Sequence, residues 1–324
     1  MQPRRNEYDV TNLVNTTDPL AVHQEVSRIY QRLYPDAPTE TLGRAFGDCA
    51  RLFRGDYPGY RECDTAYHNL QHTLEVALAT ARLMDGYERS AGRPEPIGPR
   101  LFRFGVITAL LHDVGYLRHR HDTRHQNGAE YTLSHVSRGS RFVEQYVSRL
   151  GLSDLAAVAA KIIHFTGYEM PVDAIEVPSP MFRRLGNMLG TADIIAQMAD
   201  RCYLEKCRDR LFPEFVAGGL ASDGLPDADG TRFSSAQDLL CKTPAFYSTT
   251  QHRLNELLGA AYGYAETHFG GRNLYLDEVL KNVQHAGRIA EKGDVVALLR
   301  RNPPPREPSP GHAAGEPERV LHAA

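Results

Sequence analysis

The chain has 324 residues, enough to bury a large core in one or two domains. It is 42% hydrophobic and 24% charged with a formal net charge of −3, so neither a basic nucleic-acid groove nor an acidic solvating tail is indicated. Apolar runs such as 106–111 are too short to span a bilayer, and the N-terminus MQPRRNEYDV lacks the apolar stretch of a secretory signal. Five cysteines (Cys49, Cys63, Cys202, Cys207, Cys241) without a CxxC pair read as scattered reduced thiols, the pattern of a cytoplasmic protein.

Helical periodicity dominates, and the expected fold class is all-α. Asp18 is a good N-cap and Pro19 a good first residue for a helix over 18–34, with Leu20, Val22, Val26, Ile29, Tyr30 and Leu33 on one face. A second helix is predicted over 72–87 on Leu74, Val76, Leu78, Leu83 and Met84. Residues 100–113 are apolar almost all round, which predicts a central buried helix stopping near Gly115. The stretch 118–126 reads as a basic, histidine-rich loop. Residues 129–150 read as a helix with Leu133, Val136, Phe142, Val143, Tyr146 and Val147 inward. Ser153 caps the next, which carries His164 and ends near Gly167. Ser179 and Pro180 open a long helix through Asp193 to Phe212. A polar Gly/Asp loop over 218–230 and two or three helices between 244 and 301 follow. Residues 302–324 are Pro/Gly-rich and read as a disordered tail. The expected organisation is an extension over 1–17, one helical domain over 18–301, and the tail.

Eight of the 14 histidines fall between His68 and His164, too many to dismiss as chance clustering. His68 and His72 stand in YHNLQH, His112 and Asp113 in LLHDVGY, His135 in SHVSRG, His164 in KIIHFTG, and Asp193 in GTADII. Imidazole and carboxylate together suit divalent Fe, Mn, Mg, Co or Zn. Residues four apart share a helix face, so His68 can point into the cavity of a metal held by His72 without binding it, where a general acid is wanted. His112 and Asp113 follow a very apolar helix, and burying them unpaired would be costly without a metal. One polar ligand per apolar helix is how metal sites are built in bundles. Any one of these residues alone reads more simply as a core histidine or a buried cap.

The order H…HD…H…H…D resembles the HD-domain superfamily of metal-dependent phosphohydrolases, over roughly residues 67–214. YHNLQH is similar to the YHNxxH motif of class I 3′,5′-cyclic nucleotide phosphodiesterases. That resemblance implies an HD-domain helical bundle with additional N- and C-terminal helices. It implies His68 as proton donor and His72, His112, Asp113 and Asp193 as ligands of a first metal. His135 and His164 resemble the second-metal ligands of HD-GYP-type and HD-oxygenase-type sites, with Asp113 bridging. The chain departs from both patterns. HD is followed by VGYLRHRHD rather than xxHPG, the lysine of HDxGK is replaced by Tyr116, and there is no GYP tripeptide.

The expected activity is therefore hydrolysis of a phosphoester, a cyclic or other nucleotide first, with two divalent metals. Substrate contacts are assigned to Asn69, Arg118, Arg124 and Gln197, with a solvated basic turn as the plainer account of the two arginines. A mixed-valent di-iron oxygenase and a non-catalytic HD-fold regulatory module are the alternatives. The expected partner is a small-molecule phosphoester; a homodimer stands open, and no membrane or nucleic acid is called for.

Overall fold

A helix that is buried on every side forms the centre of its fold. The computed structural model describes residues 4–222, 233–293 and 298–305, and two such helices organise it. Helix α3 (Leu70–Arg89) is buried at every residue except Glu75 and Arg89, and Asn69 caps it by accepting from the His72 amide. It packs on α1 (Pro19–Leu33), α4 (Gly98–Leu111), α7 (Pro180–Ala199) and α11 (Tyr264–Phe269). Helix α4 is buried from Phe104 through Leu111. Among the described residues there is no strand, only isolated bridges such as Tyr60 to His119. The fold is all-α.

The charges that α3 carries into the core are all paired, which is the condition for burying them. Arg82 bonds Asp9 and the Tyr275 hydroxyl, tying the N-terminal segment and α12 (Leu274–Lys292) to the centre. Asp85 takes Arg32, Arg89 and His268. Glu88 accepts from the Tyr34 hydroxyl and the Gly98 amide.

Several boundaries differ from the sequence expectation for local reasons. Asp18 and Pro19 do start α1, but Leu20 is 60% exposed and only Val22, Val26, Ile29 and Tyr30 are buried there. Helix α2 (Glu40–Phe53) sits between α1 and α4. Instead of one helix over 129–150, a 3₁₀ turn (Gly128–Tyr131) closed by an Asn127–Glu130 capping box precedes α5 (His135–Arg149). Ser153 opens a 3₁₀ turn rather than capping α6 (Ala156–Ile162). Ser179 caps α7 as expected, but α7 stops at Ala199. There Asp200 accepts from the Cys202 amide and pairs with buried Lys206 at 2.6 Å, turning the chain into α8 (Tyr203–Lys206), a π-helical turn (Cys207–Leu211) and α9 (Phe212–Ala217). Pro244 lies inside α10 (Ala236–His252), which Ser235 caps, rather than at its start. Of the polar loop, 223–230 lie outside the described residues, as do 306–324 of the tail. The described part of that tail is held at Asn302 by Asn6 and at Pro304 by Arg210. No described helix is long and apolar enough to cross a membrane.

Candidate metal centre

Three elements converge on one buried point. Asn69 starts α3 so that His72 lies in its first turn. Helix α4 ends at Leu111, and the chain leaves it through His112 and Asp113 into a 3₁₀ turn (Val114–Tyr116). Asp193 projects from α7, which packs along α3. His72, His112 and Asp113 are all buried, and one ligating atom from each lies within 4.8 Å of the others.

Their contacts bring ring nitrogens and carboxylate oxygens together at short range. His72 Nε2 lies 3.4 Å from Asp113 Oδ2 and 3.2 Å from Asp193 Oδ1; His112 Nε2 lies 3.2 Å and 3.7 Å from the same two oxygens. Yet His112 Nε2 and Asp113 Oδ2 are buried with no hydrogen-bond partner. A buried polar atom left unpaired costs about 1–3 kcal/mol, so two at contact distance are hard to explain except by a shared cation. The other ring nitrogen settles which atom faces it. His112 Nδ1 hydrogen-bonds the Ala109 carbonyl at 2.7 Å, so Nδ1 carries the proton and Nε2 presents its lone pair inward. His135, the first residue of α5, repeats the arrangement: Nδ1 donates to the Thr132 carbonyl at 2.7 Å and Nε2 lies 3.7 Å from Asp113 Oδ1. These donors fit a divalent metal of the imidazole–carboxylate class.

Electrostatics follow from the same geometry. Burial opposes a charged His72, but the facing carboxylates of Asp113 and Asp193 outweigh that and raise its pKa to about 10. His112 is raised against burial by Asp113. Asp113, despite burial, is held well below the usual carboxylate range by His112 and His72. His135 and His164 are pushed down by burial.

His68 is not on a helix, contrary to the i,i+4 reading, because Asn69 is the cap of α3. Its ring still reaches 5.7 Å from that of His72. What places it is Glu214 of α9. That buried carboxylate accepts from the Tyr67 amide and from the His68 amide at 3.2 Å, and its other oxygen takes His68 Nδ1 at 2.5 Å. Tyr116 stacks against His68 at 4.4 Å and against His135 at 4.2 Å, so one ring is sandwiched between two imidazoles. Neither Glu214 nor Tyr116 is picked out as a site residue by sequence spacing. The only sequence signal for Tyr116 is its place three after Asp113, where the family patterns carry lysine or histidine.

A cavity of about 470 Å³ opens on the centre, and His68, Asp113, Tyr116, His135 and Asp193 are among the residues that line it. Gln197 also lines it. Asn69, Arg118 and Arg124 do not. Asn69 is spent on capping α3. Arg118 is held by Asp64 at 2.7 Å and the His125 carbonyl, and Arg124 is exposed. His164 sits in a 3₁₀ turn after α6 rather than inside a helix. Its Nδ1 is buried without a partner, but it forms no ion pair with the centre among the described residues.

The segment 69–204, which holds every candidate ligand, matches the family model described as HD domain. The chain carries an HD domain. HD domains make up a superfamily of metal-dependent phosphohydrolases that bind divalent metals. No curated protein and no solved structure matches the chain.

Proposed function

We propose that this HD domain hydrolyses a phosphoester, with 3′,5′-cyclic nucleotides as the leading substrates. In this reading His72, His112, Asp113 and Asp193 hold a first divalent metal, and His135 and His164 contribute to a second. One observation supports the proposal: Asp113, whose unpaired Oδ2 lies 3.2 Å from the unpaired His112 Nε2, lines the same cavity as His68, a histidine held by its own carboxylate. When bound, the metal ions offset charge on the phosphoryl oxygens and lower the pKa of a water so that it attacks phosphorus near neutral pH.

The chain's own residues do the rest. As the water oxygen bonds to phosphorus, the bond to the leaving oxygen breaks, and that oxygen needs a proton. Glu214 occupies His68 Nδ1, so Nε2 is the atom that delivers it. Tyr116 keeps the ring from swinging out of line, and Gly115 lets the turn beneath it press against α5, where a Cβ would meet the Gly139 amide nitrogen at 2.8 Å. The alcohol leaves neutral, and the spent imidazole recovers its proton from water.

The test separates proton delivery from metal binding. His68→Asn, in metal-loaded protein, should lose about 10²–10⁴ in kcat/KM on a 3′,5′-cyclic nucleotide, whose leaving alkoxide needs the proton. It should lose little on bis(4-nitrophenyl) phosphate, whose leaving group departs as a stable anion. Equal losses on both would remove His68 as the acid. An unmodified protein that turns over no phosphoester with any of Mn, Fe, Co, Zn or Mg restored would end the hydrolase reading.

A further inference from the structure

The candidate ligands Asp113, His135 and Asp193 make up only a small part of the cavity lining. Much of the rest is apolar, including Met198, Leu211, Phe215, Leu220, Phe233 and Leu239. Phe215 and Phe233 lie nearly parallel there, with ring centroids 5.8 Å apart. At the mouth stand three exposed hydrophobic side chains that also line it, Leu133 (68% exposed), Tyr168 (71%) and Phe246 (42%). Large side chains left in water around a cavity mark a surface meant to be covered.

The charges beyond the centre are already committed. Glu169 caps α5, accepting from the Val136 amide at 2.8 Å and the Ser137 amide at 3.0 Å, and from the Ser137 hydroxyl. Lys242 is paired with Asp238 at 2.8 Å and half exposed. Gln197, one turn after Asp193, adds an uncharged amide. A ligand with several phosphoryl groups would bring more anionic charge than the described lining can match. Desolvating it there is costly, whereas an uncharged ring gains by leaving water.

Granting the phosphohydrolase reading above, we infer that the chamber takes the organic part of a substrate bearing one phosphoryl group on an uncharged, largely apolar or aromatic group. Nucleoside triphosphates and cyclic dinucleotides are disfavoured. A cyclic nucleoside monophosphate falls inside this class, and so does a simple aryl phosphate.

The chain has no tryptophan, so naphthyl fluorescence reads the chamber without an indole background. The probe is 1-naphthyl phosphate, titrated into the full-length, magnesium-loaded protein, with ATP, cyclic diguanylate and a 3′,5′-cyclic nucleoside monophosphate as competitors and turnover of all four followed alongside. The naphthyl ester should bind, and ATP and the dinucleotide should both displace it at least about tenfold more weakly than the cyclic nucleoside monophosphate does. The exposed-rim variant Phe246→Lys should weaken the naphthyl ester and strengthen ATP. Failure of the naphthyl ester to bind overturns the inference, as does ATP or the dinucleotide competing as well as the monophosphate. If the binding order holds but no phosphoester is cleaved, the hydrolase reading falls while the chamber's preference stands.

Discussion

Replacing Glu214 by glutamine changes one atom in a buried contact, and its consequence can be worked out before the experiment. The carboxylate is 4% exposed. One oxygen serves the backbone amides of Tyr67 and His68, and the other serves His68 Nδ1 at 2.5 Å. In Glu214→Gln the amide carbonyl can keep the first role, so the backbone holds. The amide nitrogen then meets the Nδ1 proton, donor against donor. What is lost is one hydrogen bond to a charged group, about 1.5–3 kcal/mol, or roughly ten- to 150-fold in rate if it is felt only in the transition state. The expected result is a loss of that size in kcat/KM on a 3′,5′-cyclic nucleotide and a loss under about threefold on bis(4-nitrophenyl) phosphate, with metal content unchanged. Steady-state kinetics on both substrates, beside metal analysis of the same preparation, reads this directly. Loss of metal, or equal losses on the two substrates, would show that Glu214 supports the fold rather than the proton donor.

Three further outcomes follow from contacts already described. His72 is held protonated up to about pH 10 in the metal-free protein, but a metal needs the neutral ring, so binding at pH 8 should release a proton and tighten about tenfold per pH unit. Because that pKa is raised, the stability His72 lends the metal-free protein is complete below about pH 6.5, its model-compound value, and fades as pH climbs toward 10. Calorimetry in buffers of different ionisation enthalpy checks the proton, and an affinity flat from pH 7 to 9 would refute it. Gly115→Ala places a Cβ against the His135 carbonyl and the Gly139 amide, backbone on both sides, so about 1–3 kcal/mol of stability should go as α5 is pushed away. An unchanged Tm would mean the turn yields freely. Asp9→Ala strands Arg82, which is 1% exposed, and should cost about 3–5 kcal/mol in denaturant unfolding. Adding Arg82→Met should recover much of it, and no recovery would place the cost elsewhere.

The parts of this fold that could be read from sequence are those fixed by neighbours in the chain. Asp18–Pro19 and Ser179–Pro180 announce two helix starts, and the apolar run before His112 announces a core helix ending in its own polar pair. The boundaries that moved depend on side-chain contacts that helical periodicity does not register. Asp200 takes the Cys202 amide and Lys206 within six residues and breaks the helix, though the apolar pattern of 179–212 runs on. The face assigned to Leu20 fails because α1 is a surface helix with a narrow buried stripe. For the site, six ligand-type residues stand out by type and order, yet the structure gathers them unequally. His72, His112, Asp113 and Asp193 meet within contact distance, His135 lies at the edge, and His164 stands apart. Glu214 was out of reach for a simple reason: it lies 146 residues from His68, and a lone glutamate in an amphipathic stretch is a common sight.

The His68–Glu214 contact brackets the segment that matches the HD domain. The candidate ligands lie within 69–204, while the two partners of this contact lie just outside, one before it and one after. The bond is thus a clasp between the chain before that segment and α9 after it. On the proposed reading, the metal ligands and the support of the proton donor come from different lengths of chain, so loss of the clasp need not empty the centre. A protein with its clasp undone would stay loaded and idle, still able to cleave esters that need no proton and blind to those that do.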